Sequence, residues 1–252
     1  MKKIRRTVDL MLTIFKFEEE MYKSEKVNAH FVGHPLMDEI KIPTEAEVKT
    51  FRDQYGNKNA RFLALLPGSR LQEIKRIFPT MLESVRVLRE ELASKSVALE
   101  AVVGCAPGFD HRVYREIMRK AGVEVHLSDE VDLLMSSADA GMVTSGTATL
   151  ESALHNLPIV VVYKTSVFTY LIGKLVIKLD SISLVNIVGQ QKIVEELVQT
   201  DFVPQKAARI IRELLMDSRA ADEIRRKYAG LRKILGDPGA SDRAAELVLR
   251  TI

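Results

Sequence analysis

A single cysteine, Cys105, among 252 residues leaves no internal disulfide framework to form, and that scarcity fits a reducing compartment. No uncharged apolar window reaches the roughly 18 residues of a membrane span, so none is expected. The basic start, Met1-Lys-Lys-Ile-Arg-Arg, runs into Thr7-Val-Asp-Leu, which breaks any signal-peptide apolar core and predicts a cytoplasmic chain. Charge of one sign is also lacking. Lys plus Arg number 37 against 34 Asp plus Glu, a net +3 too small to make nucleic acid a main partner. The glycine spacing of dinucleotide-binding folds is missing, as is a Gly-x-x-x-x-Gly-Lys-Ser/Thr loop, so neither a nicotinamide cofactor nor ATP hydrolysis is indicated. No Asp-x-Asp metal motif occurs either. Any bound diphosphate would be neutralised by Arg, helix ends and hydroxyls, and no cofactor is expected.

What is present is an ordinary globular composition, 46% hydrophobic and 28% charged, with alternating strand and helix signals. Residues 8–15 read as a buried strand, Glu18 to Lys26 as a short helix, Ala29 to Val32 as a strand, and Ile40 to Pro43 as a linker. Arg61 to Leu66 is a strand ended by Pro67-Gly68. Ile74, Ile77, Met81, Val85, Leu88 and Leu92 then recur at steps of three and four, a long helix with one apolar face. Strands follow at Val97–Val103, Val123–Leu127, Ala138–Val143 and Pro158–Tyr163, separated by helices at Arg112–Ala121, Glu130–Ser136 and Thr147–Asn156. From Pro204 the pattern is helical, interrupted at Gly236–Gly239. This alternation predicts an α/β fold, a parallel sheet covered on both faces, with ligands beyond the strands' carboxyl ends.

Two loops at that edge carry phosphate-binding character. Pro67-Gly68-Ser69-Arg70 opens a helix and adds one guanidinium; a Pro-Gly turn with Ser69 as a helix cap would read the same way. Ser145-Gly146-Thr147-Ala148-Thr149 opens another, with Glu151 about one turn in, where its carboxylate can accept from sugar hydroxyls. Here too a plain cap is the alternative. Asn186 sits in an apolar segment, either bonding a ligand or capping backbone. His30 and His34 lie across strand and turn, unsuited to zinc, and His34 is expected to fix the turn before Pro35. Cys105 has no evident His or Asp partner in sequence and reads as inert. Val167 to Lys178, with Lys164, Lys174 and Lys178, is either an interfacial helix on anionic lipid or a core helix with snorkelling lysines.

Phe31-Val-Gly-His-Pro-Leu36, Leu65-Leu-Pro-Gly-Ser-Arg70 with Glu73-Ile74, Ser145-Gly-Thr-Ala-Thr-Leu-Glu151, Pro158-Ile-Val-Val-Val-Tyr-Lys164 and Ile182-Ser-Leu-Val-Asn-Ile187 together resemble lipid-A-disaccharide synthases, in the family's order across nearly the whole chain. The resemblance implies a GT-B glycosyltransferase fold, Rossmann-like in this part. It also implies an inverting, metal-independent reaction: UDP-2,3-diacylglucosamine donates its sugar to 2,3-diacylglucosamine 1-phosphate (lipid X), giving lipid A disaccharide 1-phosphate and UDP. By the same resemblance Arg70 holds the donor diphosphate and the loop of Ser145, Gly146, Thr147 and Thr149 lines it, Gly68, Ser69 and Glu73 also belong to the donor site, Glu151 binds the ribose, and Asn186 lies near the UDP. The family usually has Pro where this chain has Val185. The expected organisation is residues 1–40 as a remnant of an acceptor domain largely missing here, 41–203 as the donor domain, and 204–252 as carboxy-terminal helices. No motif recommends Asp38, Asp110 or Asp132 as the base, which is expected in the missing part. Contact with the inner membrane, an amino-terminal partner chain or a homo-oligomer are further expectations. A non-catalytic UDP-sugar-binding subunit and a UDP-sugar 2-epimerase are the alternatives.

Overall fold

The structure, a computed structural model, describes residues 1–55, 59–165 and 181–251. The Val167–Lys178 segment, expected to be either an interfacial or a core helix, lies outside the described residues. The chain forms two compact units, one of Met1–Lys41 with Ala229–Ile252 and one of Ile42–Tyr228.

In the discontinuous unit, β1 (Met11–Thr13) and β2 (Ala29–Phe31) pair in parallel, with Met11 opposite Ala29. The strand expected over residues 8–15 is thus only three residues long, because its partner ends where the chain turns at Gly33 (φ +93°) and a helix, Lys2–Thr7, precedes it. The segments from the two chain ends are joined by polar bonds. Asp38 accepts from the N–H groups of Ala240 (3.4 Å) and Ser241 (3.3 Å), capping the helix Ala240–Thr251. The Arg243 guanidinium donates to the carbonyls of Val32, Pro238 and Asp237 at 2.7–2.8 Å. His34 fixes its turn as expected, accepting from Leu36 N–H at 3.2 Å, and burial pushes its imidazole below the ordinary range.

The continuous unit is built on six parallel strands: β3 (Arg61–Leu66), β4 (Leu99–Gly104), β5 (His126–Ser128), β6 (Ala140–Thr144), β7 (Ile159–Tyr163) and β8 (Glu195–Val198). Their spatial order is β5-β4-β3-β6-β7-β8. The chain winds outward from β3 through β4 to β5, returns to β6, and winds the other way. β3 and β6 are therefore adjacent, Leu66 opposite Val143, and the loops leaving them diverge into a crevice.

The Leu71–Ala93 helix packs into the sheet's core cluster as its periodicity demands: all six of its expected core residues are fully buried. Sequence reading passed over the helix Glu45–Asp53, though Thr44 and Glu47 form a complete capping box at its start. Its Arg52 reaches Asp139 (3.1 Å) and the Ser137 carbonyl (2.8 Å), while Asp139 also accepts from Phe62 N–H at 2.7 Å. β8 was not anticipated either. The helical run from Pro204 divides at Tyr228: Ala207, Ala208, Ile211, Leu214 and Leu215 of helix Pro204–Met216 join the sheet's core cluster, whereas the last helix is tied to residues 32–38.

Candidate functional site

The crevice between β3 and β6 holds a cavity of about 190 Å³ lined by Leu66, Gly68, Ser69, Glu73, Gly104–Pro107, Val131, Thr144–Ala148 and Glu151. Both helix-opening loops picked out in the sequence meet here, and so does the loop after β4. Gly68 is needed twice over: its φ of +110° suits glycine, and a Cβ there would lie 2.6 Å from Glu73 Oε2. Gly146 has φ +156°, and a Cβ on it would meet nothing within 4 Å, so its backbone faces open space. The first N–H groups of helices Leu71–Ala93 and Thr147–Leu154 have no intrahelical acceptors, and each helix end carries partial positive charge. Thr144, 3% exposed, is one of the lining residues, and its hydroxyl is buried with no partner among the described residues. A buried unpaired hydroxyl is costly unless a ligand or water meets it.

Several expected contacts are placed differently. Ser145 lines the cavity, but its N–H donates to the Val162 carbonyl (3.2 Å) and its hydroxyl to that of Ile182 (2.8 Å), so it braces two loops. Thr149 does not line the cavity; it is fully buried and its hydroxyl donates to the Gly146 carbonyl at 2.8 Å, closing the first turn of its own helix. Asn186 is also absent from the lining. Its Oδ1 accepts from Ile193 N–H (2.7 Å) and Val194 N–H (3.0 Å), and its Nδ2 donates to the Val194 carbonyl (3.0 Å) and Glu196 Oε1 (2.8 Å). Of the two alternatives left by sequence, backbone capping holds, because every donor and lone pair is spent. Arg70 stands at the N-cap position of the long helix without a capping side-chain bond and outside the cavity lining; its side chain is 81% exposed and 3.3 Å from Glu73 Oε1, itself a lining residue.

Glu196 carried no sequence signal, yet it organises the far side of the Ser145 brace. It accepts from Ser181 Oγ (2.7 Å), Ile182 N–H (2.9 Å) and Ser183 N–H (3.1 Å) as well as Asn186. Burial raises its pKa, but these bonds outweigh burial and hold the carboxyl below its usual range. Val185, where the family usually has Pro, is the second residue of helix Leu184–Gly189. An N–H there needs no intrahelical acceptor, so either residue fits while Ser183 caps the helix. The three carboxylates without a motif are all occupied: Asp38 as above, Asp110 by Arg112 N–H at 2.7 Å, and Asp132 by His155 Nε2 at 3.2 Å. Cys105 does have neighbours that the sequence hid: His111 and Asp129, with donor atoms within 4.8 Å of one another. No helix among the described residues is long and apolar enough to cross a membrane.

A family model described as lipid-A-disaccharide synthetase matches residues 1–249. The chain belongs to the lipid-A-disaccharide synthase family. A lipid-A-disaccharide synthase of Myxococcus xanthus is 36% identical over 251 residues, covering 99% of this chain and 64% of that protein. One of Syntrophus aciditrophicus is 37% identical, covering 97% and 63%. The chain thus spans under two thirds of these relatives' length. Solved structures share the fold alone: a Staphylococcus aureus MnaA–UDP complex (TM-score 0.62, 17% identity, 100% of this chain and 62% of that one) and WaaG, a glycosyltransferase involved in lipopolysaccharide biosynthesis (TM-score 0.54, 20% identity, 94% and 61%). The architecture is of the GT-B type, and in this chain the crevice at the strand-order reversal is the cavity described above.

Proposed function

We propose that this chain is the donor-binding part of a lipid-A-disaccharide synthase. The carrying observation is the convergence of two helix-opening loops, from strands adjacent at the reversal, on one cavity. A diphosphate seated between Gly68–Ser69 and Gly146–Ala148 would accept from backbone N–H groups, each helix end contributing roughly 0.3–1 kcal/mol. These groups are fixed before the reaction, so they stabilise the charge that grows on UDP as the anomeric bond breaks. Arg70 turns from Glu73 to the diphosphate, a charge-assisted contact of about 1.5–3 kcal/mol. Glu151 accepts from the ribose hydroxyls. Asn186 and Thr149 support the site indirectly, through the Ser145 brace and the Gly146 turn.

The acyl-glucosamine acceptor attacks the anomeric carbon through its 6-hydroxyl oxygen, UDP departs, configuration inverts, and the hydroxyl proton passes to a base. As the resemblance implies, the base and the acceptor's site are assigned to the further length that the relatives possess, and Asp38, Asp110 and Asp132 each already have a hydrogen-bond partner here. Calorimetry with the purified chain tests the donor reading: UDP binds, and CMP binds at least about tenfold more weakly. Equal binding of both nucleotides would overturn it. Disaccharide formation is expected only after an amino-terminal part from a longer relative is added; conversion of unacylated UDP-N-acetylglucosamine to a 2-epimer would instead reassign the chemistry.

A further inference from the structure

The carboxyl end of β4 carries a second cluster of chemistry-bearing side chains. Gly104 pairs with Ser128, and Cys105 N–H donates to the Ser128 carbonyl at 2.8 Å, so the sheet register sets Cys105 beside Asp129. Ala106 N–H donates to the Tyr114 hydroxyl at 2.9 Å, fixing the turn that follows. His111 is the first residue of a helix capped by Asp110, and its Nε2 lies 2.9 Å from Asp129 Oδ1. Sulfur, imidazole nitrogen and carboxylate oxygen all fall within 4.8 Å of one another.

We propose that Cys105, His111 and Asp129 form a binding site for a thiophilic divalent cation of the zinc class. The mixed sulfur, nitrogen and oxygen donor set suits Zn²⁺ and is foreign to Mg²⁺ or Ca²⁺, which take oxygen. Bonds of about 2.0–2.3 Å require the donors to draw in by roughly an ångström. The Asp129 side chain, 73% exposed, and His111, at a helix start, have room to do so. Three protein ligands leave a fourth position for water or an oxygen of a molecule in the adjacent cavity, whose wall Cys105 helps to form. On binding, the S–H bond breaks, the thiolate takes the metal, and the proton leaves to solvent.

Cobalt(II) is the probe, added to the purified chain. Cys105 is the chain's one cysteine, so any thiolate-to-cobalt charge-transfer band reports on it. The expected result is a band saturating at one equivalent, displaced by Zn²⁺, absent in Cys105→Ser, and weakened at least about tenfold in affinity in His111→Ala and Asp129→Asn. The last two side chains are surface-accessible, and unchanged thermal melting confirms that those variants fold. No band at one equivalent, or a band of equal affinity in both His111→Ala and Asp129→Asn, overturns the site.

Discussion

Replacing Asn186 by Ala separates a structural amide from a ligand contact. The side chain is 4% exposed and makes four hydrogen bonds: two from the backbone N–H groups of Ile193 and Val194, one to the Val194 carbonyl and one to the Glu196 carboxylate. Three neutral bonds at about 1 kcal/mol each and one to a charged group at about 1.5–3 kcal/mol give a sum of about 4.5–6 kcal/mol. Water can reach part of the gap, since Asn186 borders an open cleft with Gln190 and Gln191. The net loss is therefore about 3–5 kcal/mol, a fall in melting temperature of roughly 6–20 °C for a chain of this size. Asn186→Asp should be worse near neutral pH, because it sets a second carboxylate against Glu196, and should recover partly in mild acid as one of the two takes a proton. Scanning calorimetry and urea denaturation measure both. An unchanged melting temperature with UDP affinity lost in Asn186→Ala would refute the reasoning and return Asn186 to the ligand.

Asp139→Ala removes the acceptor of both Arg52 and Phe62 N–H and should cost about 2–4 kcal/mol by urea denaturation, with UDP affinity in the folded fraction unchanged. Arg70→Ala should behave oppositely: its exposed pair with Glu73 adds little stability, while calorimetry should show UDP binding weaker by roughly 1.5–3 kcal/mol. The Asp110 carboxyl is held down to about 2 from an ordinary 3.8, first by the Arg112 side chain and then by its N–H. A depressed carboxyl stabilises above its unfolded pKa and loses that contribution as pH falls through the folded one. The melting-temperature gap between wild type and Asp110→Asn should therefore be constant above pH 5 and shrink between 3.8 and about 2; a gap that persists at the acid end would contradict the assignment.

The sheet and its crevice were legible because they rest on local signals. β3 was bounded correctly since Arg61–Leu66 is an apolar run closed by Pro67-Gly68. The loops at Gly68 and Gly146 were found from small residues before an apolar helix face. β8 escaped because Glu195 and Glu196 break its apolar pattern, and only the fold reveals that Glu196 is spent on Ile182, Ser183 and Asn186. Thr149 and Asn186 show the same limit: their types and places matched the expectation, but whether a hydroxyl or amide faces a ligand or its own backbone depends on residues distant in sequence. The Cys105 cluster was invisible for that reason, as Asp129 reaches it through pairing between β4 and β5.

The Asp38 carboxylate and the backbone of Ser241 are 203 positions apart. Closing a flexible loop of that length costs about 4–5 kcal/mol in chain entropy, which a carboxylate cap and the Arg243 fork would struggle to meet first. The continuous sheet unit between them needs no such closure, so it is expected to fold early and the discontinuous unit last. During synthesis, residues 1–41 must wait for the final helix to emerge from the ribosome. Removing that helix would therefore also release Val32 and Asp38, more than 200 positions away.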